Sequence, residues 1–165
     1  MPAKTKKAVA KKPKKMSGAS GIPHVSISIP ALSEYVGVAR LAISGVASRL
    51  DFSVEQIEDI KVAVTEACAN AVQYAYGNNG REHTDKTVTI SCSTFKDRLE
   101  IAVRDEGIGF DAKNPPPPDK GDGHTHLGLG ITFMRTLMDK ADIDSKKGKG
   151  TTVTLVKYVA PAHSA

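Results

Sequence analysis

The apolar positions of the chain change period several times, and each change marks an element. Val25, Ile27 and Ile29 alternate with His24, Ser26 and Ser28, the period of two of a half-buried strand. Pro30 ends it, because proline has no amide hydrogen to give a ladder. From Leu32 to Leu50 the spacing turns helical, with Val36, Ala39, Ile43, Val46 and Leu50 on one stripe. Ser53-Val-Glu-Gln56 has the form of a capping box. It predicts a helix from Val54 to about Tyr76, stopped at Gly77-Asn-Asn-Gly80. Val88, Ile90 and Cys92 alternate, Lys96-Asp97 turns, and Leu99, Ile101 and Val103 alternate again, which predicts an antiparallel hairpin.

Beyond the hairpin the pattern breaks. Glu106 to Leu127 is long and irregular and contains Pro115–Pro118. A third helix is expected over about Leu129–Lys140, a short strand around Ile143, and a last strand with Val153 and Leu155 after the turn Lys146–Gly150. Helices and strands arrive in clusters rather than in strict βα alternation. That favours an α+β two-layer sandwich, with helices on one face of a mixed, mostly antiparallel sheet.

Composition adds a boundary. Residues 1–20 hold seven lysines and no acid, against a formal net charge of +5 for the whole chain, so the remainder stands at −2. Residues 1–21 therefore read as a disordered Lys-rich tail, 22–160 as one folded domain and 161–165 as a frayed end. The near-neutral domain is not a basic nucleic-acid-binding module, although the tail can touch nucleic acid or anionic lipid. No apolar run reaches the roughly 20 residues that span a bilayer, and no secretory signal is present. Cys68 and Cys92 lie in apolar patterns, as expected for buried reduced thiols of a cytoplasmic protein.

Four short segments carry candidate chemistry. Glu66 and Asn70 are one helical turn apart on one face. There a carboxamide oxygen can ligate Mg²⁺ while the acid takes a proton from a hydroxyl. Asp105-Glu-Gly107-Ile-Gly109 leaves the second hairpin strand, offering an acceptor for an exocyclic amine and room for close backbone approach. Leu127-Gly128-Leu129-Gly130 opens the third helix, where free N–H groups and the helix dipole suit phosphate. Gly148-Lys-Gly150-Thr151-Thr152 opens the last strand. Each has a bland alternative: a solvated helix face, a turn leaving a strand, a glycine pair, a plain hairpin turn. No Walker A loop occurs, which argues against a P-loop NTPase. His124 and His126 form an H-x-H pair without the further ligands that a metal site needs.

Together, in this order and spacing, the four segments resemble the Bergerat-fold (GHKL, histidine-kinase-like) ATPases. Glu66-Ala-Cys-Ala-Asn70 looks like their N box, Asp105-x-Gly107-x-Gly109 like the first glycine box, Gly128-Leu-Gly130 like the second, and Gly150-Thr151-Thr152 like the last motif. Asp59–Ala71 and Gly128–Asp139 resemble in particular the anti-sigma-factor serine/threonine kinases (RsbW-like). The resemblance implies ATP and Mg²⁺ as cofactors. It makes Glu66 the general base, Asn70 the Mg²⁺ ligand and Asp105 the adenine acceptor, with Gly109 making room for the base. Residues 111–127 would form a lid, with Gly128, Leu129 and Gly130 at the phosphates and Thr151 supporting the adenine through Asp105 or a water. His126 stands in the region where some relatives carry an arginine that reaches the phosphates.

The implied function is partner switching: a protein kinase that binds a sigma factor and phosphorylates a STAS-type anti-sigma-factor antagonist on Ser or Thr. Such relatives are often homodimers, and the Leu32–Leu50 helix is a partner-facing candidate. The compact ATPase unit, with no sensor and no phospho-acceptor helix pair in the sequence, argues against a complete sensor histidine kinase. Two alternatives stand beside it. One is a nucleotide-gated protein-binding regulator without kinase activity, and the other is a domain tethered to DNA by its tail.

Overall fold

A computed structural model of the chain describes residues 22–76, 85–111 and 127–159. The Lys-rich tail, the Gly77–Gly80 stop, the proline run, His124, His126 and residues 161–165 lie outside the described residues.

Alternation becomes strand as expected in β1 (His24–Pro30), β2 (Thr87–Thr94) and β3 (Arg98–Asp105). The short strand marked by Ile143 is β4 (Lys140–Ser145), and the last is β5 (Thr151–Tyr158). They form one sheet in the order β1-β2-β3-β5-β4, antiparallel in every ladder. The register aligns the apolar positions in rows: Ile29 faces Val88, Ile90 faces Val103, Cys92 faces Ile101, and Leu155 faces Ile101 from the other side. All these side chains are buried on one face, while the Ser, Thr and charged residues between them face solvent, as the two-residue period demands.

Among the described residues three helices cover the buried face. In α2 (Val54–Tyr74) the capping box forms in full. Ser53 Oγ accepts from the Gln56 N–H at 3.1 Å, and Gln56 Oε1 accepts from the Ser53 N–H at 3.1 Å. Ile60, Ala63, Val64, Ala67, Cys68 and Ala71 of this helix are buried against the sheet. The amphipathic stretch expected over Leu32–Leu50 is shorter as α-helix. A 3-10 turn at Ser33–Tyr35 precedes α1 (Val36–Ala47). The chain then tightens into bonds from Arg49 N–H to the Val46 carbonyl and from Leu50 N–H to the Ala47 carbonyl, the three-residue spacing that closes many helix ends. Likewise α3 is Leu127–Leu137 rather than Leu129–Lys140. Asp139 has already joined β5, its N–H on the Val156 carbonyl and its carboxylate accepting from Tyr158 N–H.

Lys157 carries a charge into the core side of the sheet. It follows Val153 and Leu155 on the inward face of β5, and its Nζ bonds Asp59 Oδ2 of α2 at 3.0 Å and the Leu137 carbonyl at the end of α3. A cation at a helix C-terminus is favourably placed, so the ion pair pins both flanking helices to the sheet. Cys68 and Cys92 are buried and free, and burial pushes the Cys68 thiol up to about 12. Among the described residues no helix is long and apolar enough to cross a membrane.

Candidate nucleotide site

The crevice between α2, α3 and the ends of β3, β4 and β5 holds a cavity of about 250 Å³. Its walls are apolar, from Ala71 and Ala75 on α2, Val103 on β3, Ile131 and Met134 on α3 and Val153 on β5. Its polar lining includes Asn70, Asp105 and Thr151. An apolar slot with few convergent polar groups suits a flat heteroaromatic base.

Asp105 ends the buried row of β3, where its register partner on β2 is Val88. Only 5% exposed, it needs partners. Its Oδ1 accepts from Gly107 N–H at 3.0 Å and Thr151 N–H at 3.1 Å. Burial raises its pKa from the ordinary 3.8, offset in part by those two N–H groups and by Arg104. Both structural bonds use one oxygen, which leaves Oδ2 as the acceptor available to a ligand amine.

The glycines around Asp105 are set by crowding. A Cβ on Gly107 would overlap the Ala75 carbonyl, and one on Gly109 (φ +58°) the Lys146 carbonyl. Gly150 (φ +78°) lies so close to the Asp105 carbonyl that it too excludes a side chain. These approaches close a ring: Ile108 N–H bonds the Ala75 carbonyl and Gly148 N–H bonds the Ile108 carbonyl, each at 2.6 Å.

At the other end of the crevice, Gly130 of α3 faces α2 directly. A Cβ there would lie 2.8 Å from Glu66 Oε2 and 3.3 Å from Asn70 Nδ2. The N box and the second glycine box, some sixty residues apart in sequence, thus meet. The first turn of α3, which contains Gly128, opens beside a carboxylate and a carboxamide. Among the described residues no cluster of three His, Cys, Asp or Glu could hold a metal ion. A cation here would therefore draw on Asn70 and on ligands the substrate brings. One amide oxygen plus phosphates fits Mg²⁺, which usually keeps waters and takes only one or two protein ligands.

Of the residues singled out from the sequence, Asn70, Asp105, Gly109 and Thr151 line the cavity. Glu66 and Gly130 stand together at its edge, and Gly107 packs beneath Ala75. The Leu129 side chain is 52% exposed and does not line the cavity.

Two contributors escaped the sequence reading. Tyr76 Oη donates to the Thr87 carbonyl at 2.8 Å and accepts from Glu106 N–H at 3.2 Å, clamping the loop after β3. Ser145 is buried. Its Oγ accepts from Phe110 N–H at 2.9 Å and shares a 2.8 Å bond with the Thr151 hydroxyl. The faint signal for Ser145 was its place in the inward register after Ala141 and Ile143.

Fold and site together define a nucleotide-binding α+β domain of the histidine-kinase-like ATPase class, and residues 29–157 match the family described as the histidine kinase-like ATPase domain. The chain belongs to that family, in the branch with relatives named serine-protein kinase RsbW. The Bacillus pumilus protein of that name is 43% identical over 143 residues, covering 82% of this chain and 85% of the relative. Those of Bacillus subtilis and Bacillus velezensis are 41% and 39% identical, covering 82% and 85% of this chain and 86% and 88% of theirs. The fold is shared with the RsbU and RsbW domains of a Mycobacterium tuberculosis protein, at TM-score 0.60 and 19% identity over 82% of this chain and 31% of that one.

Proposed function

We propose that the chain is an ATP-dependent protein serine/threonine kinase and anti-sigma factor. It binds a sigma factor and phosphorylates an anti-sigma-factor antagonist of STAS type, so that transcription is regulated by partner switching in the cytoplasm. The observation that carries the reading is the meeting of Gly130 with Glu66 and Asn70. It brings a carboxylate, a carboxamide and a helix start together, which supports reading them as base, Mg²⁺ ligand and phosphate cradle. The names of the relatives support protein serine as acceptor.

In this reading Asp105 Oδ2 accepts from the adenine amine, and the Gly107–Gly109 turn leaves room for the base. Thr151 holds Asp105 in place. The N–H groups at the start of α3, from Gly128 to Gly130, receive the phosphates, with Leu129 contributing through its backbone alone. Asn70 holds Mg²⁺, which when bound neutralises phosphate charge. The acceptor hydroxyl oxygen bonds to the γ-phosphorus as the bond from that phosphorus to the bridging oxygen breaks. The electron pair leaves with ADP, and the hydroxyl proton passes to Glu66. Phosphoryl transfer asks mainly for positioning and charge stabilisation, which matches this sparse set of groups.

His126 and the rest of residues 111–126 are assigned to the lid in this reading, since Leu127 already begins α3. A homodimer through α1 belongs to the same proposal without being needed for catalysis.

The test is phosphate transfer from γ-labelled ATP with Mg²⁺ into cell extract, wild type beside Glu66→Gln. A small labelled acceptor seen only with wild type supports the kinase and the base. ATP binding without any label overturns transfer in favour of a nucleotide-gated binder.

A further inference from the structure

The rim around Glu66 carries an apolar surface that the nucleotide cavity does not use. Glu66 is half-buried. One turn before it on α2, on the solvent side, Val62 is 45% exposed. Across the crevice Leu129 and Phe133, one turn apart on α3, are 52% and 46% exposed. The two helices run antiparallel. Gly130 lies against Glu66 and Asn70, while at the other end Lys157 joins Asp59 to the Leu137 carbonyl. By that register Phe133 falls between the levels of Val62 and Glu66. Met134, next to Phe133, turns inward and is fully buried, so Leu129 and Phe133 occupy the outward side of α3. None of Val62, Leu129 and Phe133 lines the cavity.

We infer that Val62, Leu129 and Phe133 form the docking surface for the acceptor protein, receiving apolar side chains that flank its phosphorylated serine or threonine. The inference rests on the kinase reading, with Glu66 as base. Stereochemistry selects the occupant. A hydroxyl must come within about 3 Å of the Glu66 carboxylate to pass its proton. A Ser or Thr side chain is only two bonds long from Cα to oxygen, so the acceptor's main chain must lie directly over this rim. Residues on either side of the acceptor serine then meet Val62 on one helix and Leu129 and Phe133 on the other. A charged surface there would leave water beside the phosphate to compete as acceptor. An apolar one lets the acceptor expel it. A free small-molecule alcohol would reach Glu66 without covering the three side chains, so the surface is suited to a polypeptide.

The experiment combines label transfer with crosslinking in one extract. A photoreactive benzoylphenylalanine replaces Phe133 in one variant, Val62 in a second, and Asp142, on the open sheet face, in a third. Each is incubated with γ-labelled ATP and irradiated. The expected result is that the labelled acceptor band shifts to a conjugate from positions 133 and 62 and not from 142. With the acceptor purified from that band, Phe133→Ser should raise its KM about tenfold, the effect of a rim anchor worth over 1 kcal/mol, with ATP affinity unchanged. A labelled acceptor that crosslinks only from 142, or a KM unmoved by both Phe133→Ser and Val62→Ser, overturns the docking surface and leaves the kinase intact. No labelled band at all overturns the kinase reading and the docking surface with it.

Discussion

Asp105 divides its labour between two oxygens, and Asp105→Asn separates them. The substitution keeps an oxygen that can take the Gly107 and Thr151 N–H groups now held at 3.0 and 3.1 Å by Oδ1. In that orientation the amide nitrogen occupies the place of Oδ2, the atom assigned to the adenine amine. A charge-assisted acceptor becomes a donor facing a donor. Losing a hydrogen bond to a charged group costs about 1.5–3 kcal/mol, which weakens ATP by roughly 10- to 150-fold. GTP, which presents a carbonyl at the same place, should gain, so discrimination between the two shrinks. Folding should hardly change, because both structural bonds survive: Tm should stay within about 4 °C. Asp105→Ala is the contrast, stranding two buried N–H groups at about 1–3 kcal/mol each and lowering Tm as well. Calorimetric titration with ATP and GTP, beside thermal melts, reads both. An ATP affinity within twofold of wild type in the Asn variant would refute the division of labour. Acidity gives a second reading of the same group. Burial raises the Asp105 pKa above 3.8, so the folded state holds its proton more tightly than the unfolded chain. Its contribution to stability is full below 3.8 and is lost as pH rises through the raised value. Adenine recognition runs the other way. It needs the carboxylate and fades on acidification through that raised pKa, whereas the Asn variant should show no such step for adenosine.

Gly130→Ala puts a methyl 2.8 Å from Glu66 Oε2. The carboxylate must swing aside without being lost, so kcat should drop about tenfold, only part of the roughly 100-fold or more that general-base catalysis contributes, while helix α3 gains propensity; an undiminished kcat in single-turnover transfer would refute the placement. Lys157→Met leaves Asp59 and the Leu137 carbonyl without their cation. The pair is partly solvated, so the loss should be about 2 kcal/mol rather than the 3–5 of a fully buried pair, seen as a lower urea midpoint with unchanged ATP affinity. The thiol of Cys68, buried and with its pKa at about 12, should resist iodoacetamide in the native state and react only on unfolding; labelling of the folded protein at the rate of a free thiol would contradict its burial.

Much of this was readable in the sequence, for identifiable reasons. The alternation of Val88, Ile90 and Cys92 and of Leu99, Ile101 and Val103 fixes which side chains face inward, and Ser53–Gln56 fixes where α2 begins, because both signals are local. The order β3-β5-β4 is not local. Alternation names a strand's face but not its neighbour. Lys157 continues the inward positions of Val153 and Leu155, yet a lysine at a strand end reads as solvated until Asp59, nearly a hundred residues earlier, is brought beside it. The motif residues were legible as four fragments, and their convergence, Gly130 onto Glu66 and Thr151 onto Asp105, appears only in three dimensions. Ser145 and Tyr76 stayed hidden because each holds a backbone N–H of a distant segment, Phe110 and Glu106 respectively, and such a bond leaves no mark on the residue it touches.

Helix α2 joins the two ends of the site, and its rigidity makes it a gauge. Ala75 at its end receives the Ile108 N–H of the loop after Asp105, while Glu66 and Asn70 stand further back along the same rod. Ala75 lies nine positions after Glu66, about 13.5 Å along the helix. One residue inserted between Asn70 and Ala75 would advance the chain by about 1.5 Å and turn everything beyond by about 100°. Glu66 and Asn70 would then face away from α3 while Ala75 stayed fastened to its loop. Substitutions in this stretch can be graded, but a change of length is all-or-none. The span from residue 66 to 75 should therefore refuse insertions and deletions even where every replaced side chain is tolerated.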